Sequence, residues 1–223
     1  MDALLDALAV LLPVRCVGCD RPDRSLCHDC RVTLEPDVSV RMVGGMRVFA
    51  ALEYSGSVRR IILAFKQSNR TDALAALARP LAHAVGGALD EHPDAVIALV
   101  PSSARGLRSR GYDPVRLLAR AGGIPTRRLL KHRGSTGVQK SLGVADRATN
   151  RLDAFVAVGS LTGLDVVVVD DVLTSGATLR AAAEAIEAVG GRVVAGATLA
   201  FTPSLLPFRD KEHGGHYGGA KGA

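Results

Sequence analysis

Residues 166–179, VVVVDDVLTSGATL, set two adjacent carboxylates, Asp170 and Asp171, ahead of a run of small residues: Thr174, Ser175, Gly176, Ala177 and Thr178. Four consecutive valines are the pattern of a strand buried on both faces. The acids therefore stand where that strand ends, with a helix expected to begin near Thr178. Small side chains let the backbone approach an anion, and hydroxyls and amide N–H groups converge at a helix N-terminus. This is a phosphate cradle without a Walker lysine, and Thr178 is placed to cap the helix while touching the phosphate. Two carboxylates aimed at a phosphate would be costly. Aimed at donors, such as the vicinal hydroxyls of a ribose whose 5-phosphate fills the cradle, they are well used. Other uses of paired acids fit less well. A receiver-type pair has no need of the Thr-Ser-Gly-Ala-Thr run, metal-dependent phosphatases lack the cradle, and the G-x-G-x-x-G of a dinucleotide fold is missing.

A second chemical group is Cys16, Cys19, Cys27 and Cys30, spaced C-x2-C-x7-C-x2-C. Two tight C-x2-C turns present four thiolates to a tetrahedral zinc ion and leave no open coordination position, so the expected role is structural. Disulfides are disfavoured because no export signal is present. His28 adjoins Cys27 and reads as a solvated loop residue. A third group is basic. Between Arg105 and Arg133 nine Lys or Arg residues, beginning with Arg105, Arg108 and Arg110, face the single acid Asp113. Such a stripe suits a polyphosphate or nucleic-acid backbone, and it suits an ordinary solvated surface equally well.

The elements that must position these groups can be read from periodicity. MRVFAALEYSG is expected to be a strand ending at Gly56, with Ser57 capping a helix whose Val58, Ile61, Ile62 and Phe65 share one face. A second helix carries Leu74, Leu77, Leu81 and Val85, with Pro80 expected to kink it. DAVIALV reads as a buried strand stopped by Pro101, and ARGLRSR as a basic loop entering a helix capped by Asp113 and started by Pro114. IPTRRLLKHR is a candidate strand, residues 134–151 a long polar loop, and GRVVAGATLAF a last strand after the helix LRAAAEAIEAV. Strand and helix alternate, which argues an α/β domain with a largely parallel central sheet flanked by helices. Ligands in such sheets bind at the carboxyl ends of strands, where Asp170 stands.

The 223 residues are 48% hydrophobic but only 4% aromatic, with no Trp, so an aliphatic core is favoured over a base-stacking platform. Net charge is +6. The segment MDALLDALAVLLP has leucines at helical spacing but no basic start and no cleavage site, so it is expected to dock as an amphipathic helix ending at Pro13. No stretch is long and apolar enough to span a membrane, and a cytoplasmic location is expected. Residues 1–40 are expected to form the N-terminal helix and zinc module, 46–203 the α/β domain, and 204–223 a Gly-rich disordered tail.

The whole string of apolar strand, two acids and Thr-Ser-Gly-x-Thr resembles the phosphoribosyl pyrophosphate (PRPP) signature of type I phosphoribosyltransferases. Similarity to the ComF family within that fold extends over roughly residues 4–202, through CVGCD, CHDC, ALEYSGSVRRIILAFK, VPSSARGLRSRGYDPVRLLARA and STGVQKSLGVADRATNRLDAF. A second cysteine set found in many members is missing after Val38, and RGYDP stands where RGYNQ is usual. The resemblance implies a type I phosphoribosyltransferase-like fold with a small four-cysteine zinc module. It implies that residues 170–178 bind the ribose 5-phosphate, with Asp170 and Asp171 on the ribose hydroxyls and opposite the charge that develops as pyrophosphate departs. Lys66, Ser102, Ser103, Arg105, Arg108 and Arg110 would face the pyrophosphate, Mg²⁺ would accompany PRPP, and the loop of Thr136 to Arg147 would close over it. The acceptor base is not identified. A PRPP sensor without catalysis, or an accessory protein handling single-stranded DNA or meeting DNA-uptake proteins, is the competing expectation.

Overall fold

The computed structural model describes residues 14–22, 24–67, 71–133 and 154–203. The expected N-terminal helix, the polar loop after residue 133 and the C-terminal tail lie outside the described residues. The chain runs α1 (His28–Val32), β1 (Ser39–Val43), β2 (Met46–Glu53), α2 (Gly56–Gln67) and α3 (Leu74–Glu91). It continues through β3 (Val96–Leu99), α4 (Ala104–Arg110), α5 (Pro114–Ala121), β4 (Leu130–His132) and β5 (Phe155–Ala157), and closes with β6 (Asp165–Leu173), α6 (Ala177–Glu187) and β7 (Arg192–Phe201).

Five strands form one sheet in the order β1-β2-β7-β6-β3. β2, β7, β6 and β3 are mutually parallel, and only β1 at the edge is antiparallel. β4 and β5 make a separate antiparallel pair, tied to the main sheet by a parallel bridge between Arg127 and Ala98. The valines of β6 divide between the two faces. Val167 and Val169 join the core under α2 and α3, with Ile61, Phe65, Leu77 and Leu81. Val166 and Val168 join Leu179, Ala182 and Ile186 of α6 on the other face. Each such fully buried aliphatic side chain stabilises the fold by roughly 1.5–3 kcal/mol. No helix among the described residues is long and apolar enough to cross a membrane.

Four local expectations need correcting. β6 does not end at the acids but continues to Leu173, because β7 extends alongside it and pairs Asp170 with Thr198 and Leu173 with Phe201. ARGLRSR is a helix rather than a loop, since the Ser103 hydroxyl accepts from the Gly106 N–H at 3.1 Å and Gly111 closes the other end with φ 76°. α2 starts at Gly56, so Ser57 lies inside its first turn, 3.0 Å from the Thr33 hydroxyl. α6 is capped by Gly176, and Thr178 falls inside the helix. Pro80 sits within α3, which runs on to Glu91.

Candidate active site

Asp170 and Asp171 lie on the last turnings of β6, where neighbouring strands hold the backbone and the side chains meet the sheet's carboxyl edge. The Asp171 carboxylate lies 2.8 Å from the Lys66 ammonium of α2, with 15% and 29% of the side chains exposed. Asp170 accepts the Asp171 backbone N–H at 2.8 Å. Burial, with the adjacent Asp171 charge, pushes the Asp170 carboxyl up to about 7, against the opposing pull of that N–H and of Lys66. Burial would lower the Lys66 pKa, yet the charges of Asp171 and then Asp170 hold it above its usual range. The site is thus a half-buried two-acid, one-lysine cluster in which one carboxylate is already paired.

These groups open into a cavity of about 460 Å³, within the size range of small-molecule sites. Of the residues expected from sequence, Lys66, Ser102, Arg110, Asp170, Asp171 and Thr178 line it. Ser103, Arg105 and Arg108 do not, nor do Thr174, Ser175, Gly176 and Ala177 of the turn after β6. Ser103 is occupied as the cap of α4, and Arg105 and Arg108 are exposed on that short helix. Arg110 is turned inward, and its Nε is buried with no hydrogen-bond partner, a donor left for an anion to satisfy. Asp113 is the expected cap of α5, accepting the Arg116 N–H at 3.2 Å. Its second oxygen accepts the Ser102 N–H at 3.2 Å, fixing the turn after β3. Tyr112, its ring tilted at 55° to that of Phe65 and its hydroxyl donating to the Phe65 carbonyl, ties the same turn to α2.

The turn after β6 passes through Gly176 into α6. Gly176 has φ 72°, open to glycine at little cost, and a Cβ there would run into Val43 of β1. The Ala177 N–H reaches the Ser175 hydroxyl at 3.4 Å, while the Thr174, Ser175 and Thr178 side chains are exposed. Sequence reasoning missed His132 and Phe155, which line the cavity from β4 and β5 and meet edge to face at 5.2 Å. They stand 23 positions apart in the chain and meet only through the pairing of β4 with β5, so no spacing signal joins them.

The four cysteines converge. Their sulfurs all lie within 4.8 Å of one another, and Cys19 and Cys27 are 3.6 Å apart. Zn–S bonds of about 2.3 Å in a tetrahedron place sulfurs at such separations. Burial would raise the Cys16 thiol, but backbone N–H groups of Cys27, Gly18 and Cys19 pull it down to about 6, favouring the thiolate a metal needs. Burial pushes the Cys30 thiol up. The donor set fits a structural zinc ion.

Residues 106–213, just under half of the chain, match the model of the phosphoribosyl transferase domain. No curated protein matches the chain. Similar solved structures include purine phosphoribosyltransferase from Pyrococcus horikoshii, 26% identical with a TM-score of 0.32 over 59% of this chain and 78% of that one. Another is adenine phosphoribosyltransferase from Thermoanaerobacter pseudethanolicus, 21% identical with a TM-score of 0.35 over 65% and 76%. The domain match and the parallel sheet with its flanking helices together give the α/β fold of type I phosphoribosyltransferases.

Proposed function

We propose that this protein binds PRPP and transfers its phosphoribosyl group to an acceptor base, releasing pyrophosphate, in the manner of a ComF-type phosphoribosyltransferase. One observation carries the reading: Lys66, Ser102, Arg110, Asp170, Asp171 and Thr178, drawn from five separate segments, share one cavity at the carboxyl edge of a parallel sheet. In this reading residues 174–178 seat the 5-phosphate, and Asp170 and Asp171 accept from the ribose hydroxyls. Ser102, Arg110 and Lys66 take the diphosphate. The bond from ribose C1 to the diphosphate oxygen breaks, its electron pair leaves with pyrophosphate, and the acceptor nitrogen bonds to C1 and gives up its proton. The carboxylates lie where positive charge develops on the ring, an electrostatic contribution that is preorganised before reaction. Mg²⁺ would be held chiefly by diphosphate and water oxygens and would neutralise the departing charge. Zinc on Cys16, Cys19, Cys27 and Cys30 would be structural.

Calorimetry with PRPP and Mg²⁺ tests this. Binding is expected for the native chain and a loss of tenfold or more for Asp171→Asn. No affinity, or affinity indifferent to changes at Asp170 and Asp171, sinks the reading. Pyrophosphate release on presentation of nucleobases separates a transferase from a PRPP sensor. A role with single-stranded DNA is the second reading, because Arg105 and Arg108 are exposed and do not line the cavity. It requires binding that weakens steeply with salt and that falls when both arginines are neutralised.

A further inference from the structure

Among the described residues Thr198 is the one wholly buried polar side chain, 0% exposed, and its Oγ1 has no hydrogen-bond partner. A buried hydroxyl left without a partner destabilises a fold and calls for an explanation. β7 carries Thr198 between β2 and β6, in register with Ala50 on one side and Asp170 on the other. Alternate residues of a strand share a face, and here that face is the one α6 covers. Val168, two positions before Asp170, packs with Leu179, and a Cβ at Gly196, two before Thr198, would meet Val48 and Leu179. On β3, Val100 follows the Leu99–Val169 pair and flanks Asp170 from its other side. Across four parallel strands the row reads Ala50, Thr198, Asp170, Val100, so its one polar neighbour for Asp170 is the Thr198 hydroxyl. Asp171 turns to the opposite face, where Lys66 of α2 meets it.

We propose that Thr198 is a positioning residue for the phosphoribosyl site, its hydroxyl donating to the Asp170 carboxylate and holding it toward the ribose hydroxyls. The inference rests on the PRPP reading given above. Neighbouring strands stand about 4.8 Å apart, so side-chain rotation alone brings the hydroxyl and the carboxylate of a register pair into hydrogen-bonding reach. The Asp171 N–H already occupies one lone pair of Asp170 Oδ1, and a carboxylate has room for further donors. Burial and the Asp171 charge hold the Asp170 carboxyl up at about 7, and while it keeps its proton it is a weak acceptor. Ribose hydroxyls favour the ionised form, to which Thr198 then makes a charge-assisted bond. The other charged or titratable groups facing Asp170 are Asp171 of β6, Lys66 of α2, Arg110 and Asp113 at the two ends of the turn between α4 and α5, and His132 of β4. All of them are the same in variants of Thr198, so differences between such variants report the hydroxyl.

Carbon-13 titration of the Asp170 carboxyl, without PRPP, reads the contact directly. Thr198→Val, which keeps the side chain's shape, is expected to raise the midpoint by about one pH unit, the equivalent of a tenfold loss for a hydrogen bond to a charged group. Thr198→Ser is expected to titrate as the native chain does. Thr198→Ala, which like Ser lacks the methyl group, is expected to follow Val, so packing and hydrogen bonding are separated even where one variant folds poorly. Calorimetry with PRPP and Mg²⁺ is expected to show Thr198→Val binding about tenfold more weakly near about pH 6 and within about twofold of native near about pH 9, where Asp170 is ionised before and after binding. The titration of PRPP itself is common to all variants and cancels in the ratio. An Asp170 midpoint unchanged or lowered in Thr198→Val overturns the inference, and so does an affinity loss equal at both pH values or a Ser variant no better than Ala. A native chain that does not bind PRPP sinks the transferase reading and with it the role of Thr198 in the reaction. A midpoint indifferent to the hydroxyl sinks the Thr198 inference alone.

Discussion

The Asp170 carboxyl is held at about 7 by burial and by Asp171, and this has a sign that stability measurements can read. Below about pH 4 an aspartate is protonated in folded and unfolded chains alike. Between there and pH 7 the folded protein keeps a proton that the unfolded chain has released, so this group's stabilising contribution is lost as pH rises through 7. Asp170→Asn removes the charge while keeping an oxygen to accept the Asp171 N–H. It is expected to leave stability below about pH 4 little changed and to raise it by about 1–3 kcal/mol at pH 8, since one pKa unit corresponds to about 1.4 kcal/mol. PRPP affinity should fall in the same variant, and thermal melts at the two pH values check the first part. The two acids were legible in the sequence because the valines before them and the small residues after them restrict what the pair can do. Their unequal surroundings were not, since the partner of Asp171 is Lys66, more than a hundred residues earlier in the chain.

At the scale of the element, α4 explains why a stripe of arginines is not a stripe of ligands. Its seven residues are held by the Ser103 cap and the Gly111 terminus, and it turns Arg110 toward the cavity while leaving Arg105 and Arg108 exposed. Arg110→Gln is expected to weaken PRPP binding by tenfold or more, because a charged hydrogen bond contributes about 1.5–3 kcal/mol. Arg105→Gln and Arg108→Gln should change it less than twofold, as calorimetry would show. The helix was hidden in the sequence by Gly106 and by the lack of an apolar face, although Ser103 and Gly111 already carried its start and stop signals. Asp113 and Pro114 were read correctly for the opposite reason, since a cap depends only on adjacent residues. The extension of β6 to Leu173 was out of reach, because it is made by the ladder to β7.

At the scale of the whole molecule, the cysteine group is continuous with the main core. Cys16, Cys27, Cys30 and Leu34 pack in the same cluster as Ile61, Phe65 and Leu81, and Arg60 of α2 donates to the Gly18 carbonyl. Zinc removal is therefore expected to lower the melting temperature of the entire protein by about 10 °C, at roughly 2–4 °C per kcal/mol for a chain of this size. Calorimetric scans with and without a zinc chelator check this, and an unchanged midpoint would count against a structural metal. Paired C-x2-C spacing made the four-cysteine cluster legible, while the placement of His132 and Phe155 in the cavity wall needed the tertiary fold. The contact between Lys66 and Asp171 reaches furthest, since it joins the first crossover of the sheet to the strand that carries both acids. A bare anion gains Lys66 only by stranding Asp171, and a bare polyol gains Asp171 only by stranding Lys66. The pocket works as a conjunction, admitting cheaply only a molecule that brings hydroxyls and negative charge together.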